Sequence, residues 1–236
     1  MHFNPEASGR DPSRICLRDA ALSRPGETLL LTGRMTIPRH IVFDIGKVLI
    51  RYDPHRGLRQ VIPDRGEREW FLHTVCTEDW NLEQDRGRPW SEAEAELIVR
   101  WPDQASRIRA FRANWRLMVY DRIAPTVALF EKLIDERRDV TLLTNFSVDT
   151  FAEARRMFPF LKRARGATVS GEIGLVKPDP KIFSHHQRSF GLDPAATFFI
   201  DDNATNVAAS REAGWRAVQY LDHVQLVGEL TAARIA

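Results

Sequence analysis

Residues 197–220, TFFIDDNATNVAASREAGWRAVQY, contain one complete unit of the fold. Thr197 to Ile200 is a short apolar run and reads as a buried strand. Ala204 to about Ala213 reads as a helix, and Gly214 stands where a helix stops in a left-handed turn. Trp215 to Tyr220 supplies a further strand. Strand, helix and strand in one connected run predict parallel pairing, with the helix packed on a face of the sheet. At the first junction stand Asp201 and Asp202, adjacent carboxylates that repel one another. A divalent cation is the usual remedy, and hard oxygen donors favour magnesium.

The same alternation extends upstream. Ile41-Val42-Phe43 is an apolar run that stops at Asp44. Val127 to Arg138 has apolar residues at helical spacing, and Val140 to Leu143 is a second strand ending at Thr144-Asn145. Val148 to Met157 reads as a helix with Ser147 as its N-cap. Ala167 to Ser170 is a third strand, and Ile182 to Phe190 is a helix stopped by Gly191. The pattern predicts an α/β fold, a Rossmann-like parallel sheet formed by residues 37–55 and 122–236. Residues 56–121 differ. Glu67 to Cys76, Ser91 to Arg100 and Ser106 to Val119 read as helices with no strand between them, which predicts an inserted helical cap. Residues 1–36 are rich in Arg, Ser, Pro and Gly and are expected to be a disordered leader or start-site extension, with Met35 as the alternative start.

Composition narrows the classes. The chain has 236 residues, 43% of them hydrophobic and 28% charged, with a net charge of +2 and no concentrated Lys/Arg stripe. That balance speaks against nucleic acid as a partner. Cys16 and Cys76 form neither a disulfide framework nor a zinc spacing, so a reducing cytoplasm is the expected setting. No apolar run reaches the roughly 20 residues of a membrane helix.

Four segments fall at or beside the carboxyl ends of expected strands, the edge where open parallel sheets bind ligands. Asp44 is costly to bury alone; taken by itself it either opens a loop or acts as an activated carboxylate nucleophile. Thr144-Asn145 forms a turn or grips phosphate oxygens through hydroxyl and backbone N–H. Lys177 precedes Pro178 and is kept out of a helix. It is either a solvated lysine or a charge held between carboxylate and phosphate. Asp201-Asp202 completes the set.

Asp44, Thr144, Lys177 and Asp201-Asp202, in that order, resemble the four motifs of the haloacid dehalogenase (HAD) superfamily, from about Ile41 to Gln219. The segments at Phe43–Gly46 and Phe199–Asn203 further resemble its branch of bacterial sugar-phosphate phosphatases, notably α-D-glucose-1-phosphate phosphatase. The resemblance implies a Mg2+-dependent phosphatase acting on a small phosphorylated metabolite, as a monomer or homodimer. Asp44 would attack phosphorus and form an aspartyl-phosphate. Asp44, the Gly46 carbonyl and Asp202 would hold magnesium, with Asp201 as a further or supporting ligand. Thr144 and the Asn145 amide would bind phosphoryl oxygens, and Lys177 would balance charge. One departure stands out: most such phosphatases carry a second Asp where this chain has Gly46. Either the leaving group needs no proton, or Lys47 or a cap residue supplies one, or the protein binds phosphate without turnover. Dehalogenation of a 2-haloacid is the rival enzyme reading. Of the remaining candidates, Arg86 in the stretch Glu83 to Arg88 could border the cleft, and His55 could enter the pocket or start the cap. His185-His186 are expected to be exposed. Trp70, Trp80, Trp90, Trp101 and Trp115 are expected to pack the cap.

Overall fold

In the computed structural model, residues 37–235 are described; the expected leader, with Cys16, lies outside them. The chain begins with β1 (His40–Phe43) and β2 (Ile50–Tyr52). Six helices follow: α1 (Pro54–Leu58), α2 (Arg65–Thr74), α3 (Glu78–Asp85), α4 (Trp90–Arg100), α5 (Ala105–Ala113) and α6 (Trp115–Met118). β3 (Val119–Arg122), α7 (Ala124–Asp135), β4 (Asp139–Thr144) and α8 (Val148–Met157) come next. The remainder is β5 (Ala167–Val169), α9 (Ser170–Ile173), α10 (Pro180–Phe190), β6 (Thr197–Asp201), α11 (Ala204–Glu212), β7 (Arg216–Gln219) and α12 (His223–Ala232).

Five strands form a parallel sheet in the order β5-β4-β1-β6-β7. The α/β architecture expected from the alternation is therefore present. Side chains alternate across the central strands with period two. Ile41, Phe43, Leu142, Phe198 and Ile200 pack on one face with Phe130, Leu133, Leu226 and Leu230. Val42, Leu143 and Phe199 pack on the other with Ile182, Phe183 and Trp215. Each central strand is apolar on both faces because both are covered.

The helices between β2 and β3 enclose an apolar cluster of their own, which includes Leu58, Phe71, Trp90, Leu97, Ile108 and Phe111. Below it β2 and β3 pair antiparallel. These strands of three and four residues are too short to show a readable alternation. The helix read across Ser106 to Val119 is interrupted at Asn114, whose side chain donates to the Gly57 carbonyl at 2.9 Å and ties the chain to α1. Arg112 and Arg116 reach across to Glu153 on α8 at 2.6 and 2.7 Å. Trp70 is surface-facing and Trp115 belongs to the sheet's own cluster, so the tryptophans do not share one packing role.

His186 corrects another expectation. It is fully buried, because Ile182, Phe183 and His186 form the stripe that α10 lays on the sheet. Its ring nitrogens pair with the hydroxyls of Thr141 at 2.9 Å and Thr168 at 2.8 Å. Burial, with Arg165 as the next cause, pushes its pKa down to about 3, so the ring is neutral.

Candidate active site

Parallel register brings the first two carboxylates together. Phe43 is aligned with Ile200, so Asp44 and Asp201 stand level, each one step further along its strand. The Asp44 N–H donates to the Ile200 carbonyl at 2.9 Å, which extends the ladder to the sheet edge. Both residues continue the Val42 and Phe199 face, the side on which α10 packs. Lys177 comes from the loop before that helix, over the Phe199 ring. Its ammonium lies 2.9 Å from Asp44 Oδ1 and 2.7 Å from Asp201 Oδ2.

The loop after β1 is built around the Ile45 carbonyl, which accepts from the N–H groups of Leu49 and Ile50 at 2.9 and 3.0 Å. Ile45, Val48 and Leu49 anchor this turn by complete burial. Gly46 and Lys47 are thereby carried over the sheet edge, with Lys47 in the left-handed region at φ 56°. A Cβ on Gly46 would meet nothing within 4 Å. Neither crowding nor backbone conformation requires glycine here, so what the site lacks at this position is chemistry, not space.

Thr144 is buried at the end of β4. The Asn145 side chain clamps Lys177 from both sides: its Oδ1 accepts the Lys177 N–H at 2.8 Å and its Nδ2 donates to the Lys177 carbonyl at 3.0 Å. That amide is committed to fixing the lysine. Asp201 is equally occupied, accepting from the Asn203 N–H at 2.8 Å and from Asn206 Nδ2 at 3.1 Å as well as from Lys177. Asp202 is more open and faces Lys47 at 4.0 Å.

Asp44, Asp201 and Asp202 can each offer a carboxylate oxygen within 4.8 Å of the others. One buried ammonium cannot balance three carboxylates, and the electrostatics carry that imbalance. Burial is the main cause that pushes Asp44 up to about 7, with Lys177 opposing it and Asp201 and Asp202 adding to it. Burial and the Asp201 charge push Asp202 upward as well. Burial would lower Lys177, but Asp201 and Asp44 outweigh it and hold the ammonium charged. Hard oxygen donors with an unbalanced negative charge fit a divalent cation.

Asp44, Gly46, Thr144, Lys177 and Asp202 line a pocket of about 180 Å³. A second cavity of about 120 Å³ adjoins it at Gly46, Tyr52 and Asn145, and extends to Asp85, Trp90 and Trp115. The candidates read from the sequence thus meet, with two exceptions. Arg86 is exposed, pairs with Glu83 at 3.3 Å and lines neither of these cavities. His55 lines a third cavity of about 620 Å³ beside α2 and α3, which shares Tyr52, Asn81 and Asp85 with the second but does not reach Asp44. Asp85 and Asn206 were not anticipated. Within the Glu83–Arg88 stretch, Asp85 lines the second cavity and Arg86 does not.

A family model described as haloacid dehalogenase-like hydrolase matches residues 38–214. The chain belongs to this family. Its curated relatives include sesquiterpene phosphatase astK of Aspergillus oryzae, 25% identical over 191 residues and covering 80% of this chain and 93% of the relative. Among solved structures, a HAD family enzyme from Bacteroides thetaiotaomicron in complex with magnesium and inorganic phosphate superposes with a TM-score of 0.62. It is 23% identical, with 78% of this chain and 94% of that one covered. L-2-haloacid dehalogenase from Xanthobacter autotrophicus, with chloropropionic acid covalently bound, superposes at 0.59 with 17% identity and 84% of each chain covered. At such identities the structural matches establish the shared fold alone. Among the described residues, no helix of this HAD-like hydrolase is long and apolar enough to cross a membrane.

Proposed function

We propose that the protein is a magnesium-dependent phosphatase that hydrolyses a small organic phosphate monoester through an aspartyl-phosphate on Asp44. The observation that carries this reading is the trio of carboxylates at the carboxyl edge of the sheet, two of them paired with one buried lysine. Asp44, the Gly46 carbonyl and Asp202 would hold the cation, while Asp201, saturated by its own partners, orients Lys177 and the loop after β6. Bound magnesium supplies charge neutralisation to the carboxylates and to the phosphoryl oxygens. Lys177 and the Thr144 hydroxyl bind phosphoryl oxygens and hold the phosphorus in line with Asp44. The Asn145 main chain joins them, while its side chain keeps the lysine in place.

In the first step a carboxylate oxygen of Asp44 attacks phosphorus and the ester oxygen departs. Water then attacks phosphorus and Asp44 leaves as carboxylate. Residues 56–121 act as a cap that shelters the reaction from bulk water and admits small, diffusing substrates. The organic part of the substrate occupies the cavity beside Trp90 and Trp115, and a sugar phosphate is the substrate class first to be tried. The dehalogenation reading places a substrate carboxylate against three acidic side chains, so electrostatics disfavour it.

The experiment is a phosphate-release panel with magnesium that sets sugar phosphates beside prenyl phosphates, with chelator controls. Release that stops with chelator and returns with magnesium is expected. Chloride release from 2-chloropropionate with no phosphatase activity would overturn the reading.

A further inference from the structure

A departing alkoxide needs a proton, and the phosphoryl pocket offers no ready source. Asp44 is the attacking group, and Lys177 is locked between two carboxylates. Lys47 lines the phosphoryl pocket, but its ammonium is largely exposed, faces Asp202 at 4.0 Å and does not line the second cavity. Tyr52 borders both cavities, but burial, followed by the charge of Asp85, pushes its hydroxyl further up from an already weak acidity. Gly46 brings no side chain.

The second cavity supplies a carboxyl group. Asp85 ends α3 and lines that cavity together with Gly46 and Asn145. Two hydrogen bonds fix the residue, and the Ser147 backbone N–H lies near its carboxylate. Asn81 Nδ2 approaches Oδ2 at 3.4 Å. The Ser170 hydroxyl donates to the Asp85 carbonyl at 2.6 Å. Gly87, at φ 109°, turns the chain two residues later, and a Cβ there would come within 3.1 Å of the Gly171 carbonyl. The end of α3 is thereby seated directly on α9 and beside the loop that follows β4.

We propose that Asp85 is the general acid–base residue of this active site, a catalytic carboxyl delivered by the helical stretch in place of one at Gly46. The proposal rests on the phosphatase reading above. As Asp44 Oδ bonds to phosphorus, the bond from phosphorus to the ester oxygen breaks. Its electron pair stays on that oxygen, which takes the Asp85 proton and leaves as an alcohol. The Asp85 carboxylate then takes a proton from water as that water attacks phosphorus. The phosphorus–Asp44 bond breaks with its pair returning to Asp44, inorganic phosphate departs, and Asp85 is protonated again. The environment supports both roles. Burial is the main cause that pushes Asp85 up to about 7, the Ser147 N–H opposes it, and the Asp44 charge adds to it. A carboxyl poised there gives and takes protons near neutral pH.

A purely structural latch would give the same contacts, so the test reads leaving-group dependence. Wild-type and Asp85→Asn proteins are compared on p-nitrophenyl phosphate, whose phenolate departs unaided, and on primary alkyl phosphates. For alkyl esters kcat/KM is expected to fall about 10²–10⁴-fold, the range of general acid help. The fall for p-nitrophenyl phosphate is expected to be at least about thirtyfold smaller, since little protonation is needed there. Quench-flow should show a burst of p-nitrophenolate in the variant, because the phosphoenzyme forms while its hydrolysis lacks a base. Equal losses on both esters without a burst, or no loss on either, would overturn the assignment. An independent check needs only the wild-type protein: across a series of esters, kcat/KM should depend weakly on leaving-group pKa, and a steep dependence contradicts the proposal. If wild-type protein with magnesium releases phosphate from none of these esters, the phosphatase reading itself fails and the role of Asp85 falls with it.

Discussion

At the sheet edge, Asp44, Asp201 and Lys177 are buried and joined by contacts of 2.7 and 2.9 Å. Beyond Gly46, Asp85 is half-buried, and the hydrogen-bond donor to its carboxylate is a neutral one, the Asn81 amide. The first cluster stores charge and keeps it paired. The second site presents one carboxyl with no ammonium or guanidinium among its described hydrogen-bonding partners, so its proton is not displaced by an ion pair. Two carboxyl groups in one active site, separated by environment, divide the work between attack and proton transfer.

The largest way to break this contrast is at Lys177. Replacing it by Met leaves Asp44 and Asp201 buried without their cation, and should cost about 3–5 kcal/mol of stability, as removing one partner of a buried pair does. Denaturant unfolding of the two proteins measures it, and a loss below about 1 kcal/mol would mean that the pair is not enclosed as described. The next test moves the missing carboxyl back to the sheet edge. Gly46→Asp fits the open space beside Gly46. In an Asp85→Asn background it should restore alkyl phosphate turnover by roughly tenfold or more, within the range of general acid help. In the wild-type background the gain should be much smaller, and equal gains in both backgrounds would separate Gly46 from Asp85.

A smaller effect serves as a control on the sheet alone. His186 has its folded pKa pushed down to about 3, from an ordinary value near 6.5. The unfolded chain therefore binds a proton that the folded one refuses. The stability that this contributes is whole above about pH 6.5 and is lost progressively as pH falls towards 3. His186→Gln keeps partners for Thr141 and Thr168 and should flatten that part of the pH–stability curve. An unchanged slope in thermal melts from pH 7 to pH 4 would contradict the neutral buried ring.

The two regions also differed in how far the sequence exposed them. Ile41–Asp44, Asp139–Thr144 and Thr197–Asp201 are apolar on both faces and end in polar residues, a pattern that a buried strand reaching a ligand edge requires. Their parallel register then brings Asp44, Thr144 and Asp201 to one edge, and Lys177 joins them from the loop before α10. What the pattern did not carry was the fine division of labour. Asn145 and Asp201 prove to be committed to Lys177 and its surroundings through contacts that only three dimensions create. Asp85 was hidden for a different reason. Its helix reads EDWNLEQD, with apolar side chains only at Trp80 and Leu82, and it starts at a Thr77 cap whose hydroxyl accepts from the Trp80 N–H at 3.1 Å. A helix fixed by its cap and by docking shows no apolar stripe. His186 misled in the opposite sense, as a polar letter on a buried stripe that two threonine hydroxyls satisfy.

The central claim is that Asp44 carries the phosphoryl group. The direct measurement is rapid acid quench during turnover with magnesium, followed by mass spectrometry of the peptide containing Asp44. One added phosphoryl group on that peptide is predicted, absent from Asp44→Asn, whose turnover should drop roughly 10⁴–10⁶-fold as for loss of other catalytic residues of this weight. Undiminished phosphate release by Asp44→Asn, with no phosphorylated peptide in the wild type, would contradict it.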